Sequence, residues 1–117
     1  MKLRIHSGSI RLRLKQSEVK ALIDGSEIVE ICPTLPVPLT YALRSDPEID
    51  RLVAHSDANR LTVKIPAAWL VDWETDSRVG FESTEGAIHL LIEKDWKCTN
   101  PSTPQDNEDC FDNPVAC

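Results

Sequence analysis

Ile10-Arg11-Leu12-Arg13-Leu14, followed by Gln16-Ser17-Glu18-Val19-Lys20-Ala21-Leu22 and then Glu27-Ile28-Val29-Glu30-Ile31, reads as strand, short helix, strand. Leu61-Thr62-Val63-Lys64-Ile65, Pro66-Ala67-Ala68-Trp69-Leu70-Val71 and Arg78-Val79-Gly80-Phe81-Glu82 read the same way again. In each opening segment apolar residues alternate with polar ones, the period-2 signature of a strand with one buried face. Two β-α-β units are each too small to bury an apolar face, but together they can bury each other's. The spacing predicts an α+β fold of two such units, closed as a small barrel or as a helix-covered antiparallel sheet.

Working outward, Leu3 and Ile5 form a shorter alternating run, and Ser7-Gly8-Ser9 between the runs predicts a hairpin. Ser17 is placed to cap the first helix, whose apolar face is Val19, Leu22 and Ile23, and Asp24-Gly25 ends it. Pro33, Pro36 and Pro38 make a stiff connection that cannot lie in a central strand. Leu39–Leu43 and Ala87–Glu93 are further expected strands, Asp50–His55 reads as a strand or a short helix, and Pro66–Trp73 is an expected helix carrying Trp69 and Trp73 on one face. Residues 1–97 therefore read as one duplicated domain. Residues 98–117 read as an acidic tail rich in Cys, Pro and Asn, packed on the domain or disordered.

Charge is unevenly placed. The chain has 117 residues and a formal net charge of −6. Lys2, Arg4, Arg11, Arg13, Lys15 and Lys20 nevertheless crowd the first twenty positions against Glu18 as the one acid. The strand residues Arg11, Arg13 and Lys15 are the candidate anion- or partner-binding set. The overall acidity and the lack of aromatics among them argue against nucleic acid. No run approaches the roughly 18 apolar residues of a membrane span, and the start has no apolar leader stretch. The cytoplasm, where thiols stay reduced, is the expected compartment.

Cys98, Cys110 and Cys117, with Asp106, Glu108, Asp109 and Asp112 among them, are the candidate metal or redox residues, with zinc as the candidate cofactor. They lack the tight Cys-x-x-Cys pair typical of zinc sites. Free thiols on a tail and a disulfide pair are the other readings. No nucleophile–base motif is legible, and four glycines leave no phosphate-cradling loop. Trp69 and Trp73 are expected to anchor the core.

Two resemblances accompany these readings. Arg60-Leu61-Thr62-Val63-Lys64-Ile65-Pro66, the following helix and Asp76-Ser77-Arg78-Val79-Gly80-Phe81 resemble swapped-hairpin transcription factors of the AbrB and antitoxin type. That resemblance implies dimeric DNA binding for the family, and a closed or nearly closed barrel if two such units are fused. The second spans nearly the whole chain. Met1-Lys2-Leu3-Arg4-Ile5, Ser9–Leu14 and Ser17-Glu18-Val19, with Leu91–Cys98, Glu108-Asp109 and Asp112-Asn113-Pro114, are similar to a family of short bacterial proteins of unknown function. It implies bacterial origin and a tail that belongs to the domain, and no assigned activity. The expected role is a non-enzymatic binding or regulatory module, monomeric or homodimeric, for a protein partner or small ligand. The rival is a metal-binding or redox-active protein using the tail cysteines.

Overall fold

The computed structural model describes residues 1–33, 36–95 and 111. Its strands are β1 (Lys2–His6), β2 (Ser9–Leu14), β3 (Ile28–Cys32), β4 (Leu39–Asp46), β5 (Val53–Asp57), β6 (Arg60–Pro66), β7 (Gly80–Glu85) and β8 (Ile88–Lys94). The α-helix α1 (Gln16–Ile23) follows β2, and a 3-10 helix, Ala67–Leu70, follows β6. Strands pair as antiparallel hairpins, β1 with β2, β3 with β4, β5 with β6 and β7 with β8. The hairpins form two four-stranded sheets, in the orders β1-β2-β8-β7 and β3-β4-β6-β5. In each sheet two hairpins meet through a central parallel pair, β2 with β8 and β4 with β6.

This corrects the expected α+β architecture. Among the described residues the fold is mainly β, the two sheets are mixed and do not close into a barrel, and no helix layer covers a sheet. The strands flanking α1 do not share a sheet: β2 lies in the first and β3 in the second. The connection from β2 to β3, residues 15–27, carries α1 and leads out of the first sheet into the second. α1 therefore steps from sheet to sheet, and the parallel pairs come from hairpins distant in sequence. The second expected helix shrinks to four residues, with Asp72 beyond it at φ 64. Pro66 is the last residue of β6, paired with Asp46.

The inward sides of both sheets share one core. Ile10, Leu12 and Leu14 of β2 and Leu90 and Ile92 of β8 join Leu43, Val63 and Ile65 of the second sheet. Burying each such side chain contributes roughly 1.5–3 kcal/mol. Val19 and Leu22 on α1, with Leu70 and Trp73 around the 3-10 helix, complete the cluster. Phe111 is also buried in it. The remaining tail residues, including the expected docking of residues 98–117, lie outside the described residues.

Corresponding positions turn to the same side, with Leu61 less deeply buried than Ile10. Ile10, Leu12 and Leu14 in β2 take the places of Leu61, Val63 and Ile65 in β6, set by the same register against the parallel partner. Val19 and Leu70 are each the fourth residue of their connector, and both are buried. His89 N donates to Gly8 O at 2.7 Å, and in the other sheet Thr40 N donates to Asn59 O at 2.9 Å. A Cβ on Gly8 would lie 2.8 Å from the Ala87 carbonyl oxygen, so only glycine lets β8 enter this close to the β1–β2 turn.

Candidate functional site

The alternation that buries Ile10, Leu12 and Leu14 sends Ser9, Arg11 and Arg13 to the outer side of the first sheet. The hairpin register puts His6 opposite Ser9, Arg4 opposite Arg11 and Lys2 opposite Arg13. Two cross-strand pairs of like charge therefore lie side by side on one exposed surface. Side chains directly opposite in a non-hydrogen-bonded or hydrogen-bonded pair approach to about 5 Å, where like charges are destabilising. Lys2 is partly compensated by Asp95 at 3.1 Å and Arg11 by Glu93 at 2.8 Å. Arg4 and Arg13, both exposed, form no ion pair or hydrogen bond with a described residue.

Two adjoining shallow pockets lie over this strip. One of about 190 Å³ is lined by Arg4, His6, Ser9 and Arg11. The other, of about 180 Å³, is lined by Lys2, Leu3, Arg4, Arg11 and Arg13. The corresponding hairpin of the second sheet provides an internal control. At the matching places it sets Asp57 opposite Arg60, His55 opposite Thr62 and Val53 opposite Lys64, with no like-charge pair. Accumulated positive charge thus belongs to one hairpin and is not a consequence of the shared register.

Of the residues expected from the sequence, Arg11 and Arg13 take part in this strip. Lys15 lies beyond the strand end as N-cap of α1, where its backbone N–H donates to Glu18 Oε1 at 2.9 Å. Glu18 also binds the Met1 amino group. Ser17, expected to cap the helix, is instead its second residue. Lys2, Arg4 and His6 were missing from the expected site. The available signal was the Ser7-Gly8-Ser9 turn: folding the chain there places Arg4 against Arg11. Cys98, Cys110 and Cys117 lie outside the described residues. Among the described residues no group of three or more His, Cys, Asp or Glu side chains is arranged to hold a metal. His89 contacts Thr84 Oγ1 at 3.2 Å through Nδ1 and Glu82 Oε2 at 3.1 Å through Nε2. These three line up like a nucleophile, base and acid, but Thr84 and Glu82 are exposed and Thr84 is simply the ladder partner of His89.

A second polar cluster is structural in its contacts. Lys94 follows Leu90 and Ile92 at an inward position and is 2% exposed. Its Nζ donates to Asp76 O at 2.7 Å and lies 4.8 Å from the centre of the Phe111 ring. Burial pushes the Lys94 ammonium below its ordinary pKa, with the Asp76 charge opposing the shift. Burial also works to raise the Asp76 carboxyl, but the Arg78 hydrogen bonds and charge prevail and hold it below the usual range. Arg78 donates to the Trp69 and Val71 carbonyls at 3.0 and 2.6 Å, and Trp73 Nε1 donates to Arg78 O at 3.0 Å. Trp73 is fully buried, whereas Trp69 is half-buried and stacked 5.4 Å from Phe81. The Tyr41 phenol, raised chiefly by burial and then by Glu30, donates to the Met1 carbonyl at 3.3 Å.

Comparison with known families rests on nearly the whole length of the chain. The model of a family of unknown function, DUF7009, matches residues 1–115. The chain belongs to that family. No curated protein and no solved structure matches it, so the resemblance to AbrB-type factors gains no support. The DUF7009 match runs through the basic hairpin and on into the tail. Among the described residues, no helix is long and apolar enough to cross a membrane.

Proposed function

We propose that this DUF7009 protein is a non-enzymatic binding module that holds an anionic partner on the outer side of the β1–β2 hairpin. The observation that carries the reading is the juxtaposition of Arg4 with Arg11 and of Lys2 with Arg13. Such pairs cost stability in the free protein, and a bound anion removes that cost by neutralising them. Glu93 and Glu82 lie on the same outer side, on β8 and β7, and bound the positive strip. A short acidic segment fits that strip, whereas an extended phosphate backbone would run onto the carboxylates. The partner belongs with this chain in the cytoplasm. The internal repeat is part of the same proposal: matching registers support two copies of a hairpin–connector–hairpin unit, of which the first copy has taken on the binding surface.

The test uses capped hexaglutamate as probe. Binding to the wild-type chain at low salt should weaken as salt rises, because exposed charges are screened beyond about 10 Å at 0.1 M. Arg4→Glu combined with Arg13→Glu should abolish it, while Lys64→Glu on the control hairpin should leave it unchanged. Equal weakening by both variants would show a response to net charge and not to a site, and would overturn the proposal.

A further inference from the structure

β1 is more than one side of a basic strip. It is the edge strand of the first sheet, hydrogen-bonded to β2 on one side only. In an antiparallel pair alternate residues turn their N–H and C=O groups toward the neighbour, and the others turn them away. The groups of β1 that face away have no backbone partner among the described residues. Leu3 and Ile5 point to the inward side, since they oppose the buried Leu12 and Ile10. Ile5 nonetheless remains 55% exposed, because nothing among the described residues lies beyond β1 to cover it.

Charged side chains are the ordinary device that blocks edge strands from pairing. That device does not require arginines directly opposite on the next strand, as Arg11 and Arg13 are here. The combination here is different: the cations Lys2 and Arg4, with His6 next in the alternation, on one side of the edge, an uncovered apolar side chain on the other, and an open ladder between them. A second copy of the chain is a poor occupant, because pairing β1 with β1 would set these cations against themselves.

Resting on the function proposed above, we infer that an extended acidic segment of a partner protein joins the first sheet as an added strand along β1. Its alternate carboxylates lie beside Lys2, Arg4 and His6, and its intervening apolar side chains cover Ile5. Main-chain hydrogen bonds supply affinity in this mode of recognition, and the alternating side chains supply specificity. The segment recognised is therefore an acidic–apolar alternation about as long as β1, which has five residues.

Three capped peptides of equal charge, titrated against the full chain at one low salt concentration, test this. They are an alternating Glu-Val peptide with three Glu, its twin methylated on every backbone nitrogen, and a Glu-Glu-Glu-Val-Val-Val block peptide. The alternating peptide should bind at least about tenfold tighter than either of the others, because only it can complete the ladder. Ile5→Asn should weaken the alternating peptide and leave hexaglutamate binding unchanged. Slowed exchange of the β1 amides in the presence of the alternating peptide should accompany binding. Equal affinity for the alternating peptide and its methylated twin would overturn the added strand while leaving the cationic surface standing. Failure of all three peptides and of hexaglutamate would overturn both.

Discussion

Hairpins β1–β2 and β5–β6 hold corresponding places in the two sheets and pair in the same register, yet their outer sides diverge. Arg4 faces Arg11 in the first, and His55 faces Thr62 in the second. The connectors that follow them diverge too. α1 is a periodic helix with a carboxylate at its N-terminus, whereas the 3-10 helix is four residues followed by a turn region fastened by Arg78. Both connectors still bury an apolar side chain at their fourth residue and another three places on: Val19 and Leu22 in one, Leu70 and Trp73 in the other. Inward positions are constrained by a shared core. Outward positions are free to differ, and there the two hairpins carry different charge.

The sharpest way to break this comparison is to empty the two matching core positions. Trp73→Ala should cost roughly 3–5 kcal/mol and Leu22→Ala roughly 2–5 kcal/mol, read from urea unfolding of each variant. A loss below about 1 kcal/mol at Leu22 with a full loss at Trp73 would mean that the two connectors do not share one core.

A smaller effect distinguishes how the connectors are fastened. Arg78→Ala removes the donors to the Trp69 and Val71 carbonyls and should cost roughly 1–3 kcal/mol at neutral pH. The acid limb is a second readout. With its folded pKa lowered, Asp76 stays ionised in the native state over a window in which the unfolded chain is protonated. Within that window the unfolded state binds the extra proton, so stability rises with pH and is lost on acidification. Unfolding midpoints measured from neutral pH down through the carboxylate range should fall less steeply in Arg78→Ala than in the wild type. Parallel curves would deny Arg78 its hold on Asp76.

The smallest expected effect concerns the outer sides. Arg4→Thr should stabilise the free chain by a few tenths of a kcal/mol, up to about 1 kcal/mol, by removing the Arg4–Arg11 opposition. The gain should vanish in high salt, and His55→Arg at the matching place should not reproduce it. Destabilisation by Arg4→Thr would mean that the arginine stem packs usefully and that the like-charge argument fails.

Much of this molecule was legible from local pattern. Ile10–Leu14, Leu61–Ile65 and Ala87–Glu93 alternate or carry enough branched residues to declare strands, and the Ser7-Gly8-Ser9 turn declares the first hairpin. The short helix at Gln16–Ile23 is visible in the spacing of Val19 and Leu22. Trp69 and Trp73 at helical spacing suggested a longer second helix than the four residues that form. Periodicity could not show that Arg78 reaches back to the Trp69 and Val71 carbonyls and holds a turn there. The candidate site was half visible: Arg11 and Arg13 stand out along β2, but their opposition to Arg4 and Lys2 depends on the hairpin register.

Sequence by itself determined which segments extend, which residues turn inward and that positive charge gathers at the start of the chain, because these follow from side-chain period and local backbone preference. Only the tertiary structure decided which sheet each hairpin joins, because β2 meets β8, and β4 meets β6, through contacts between residues far apart in the chain. That same long-range choice leaves β1 as an edge and makes its cations a surface.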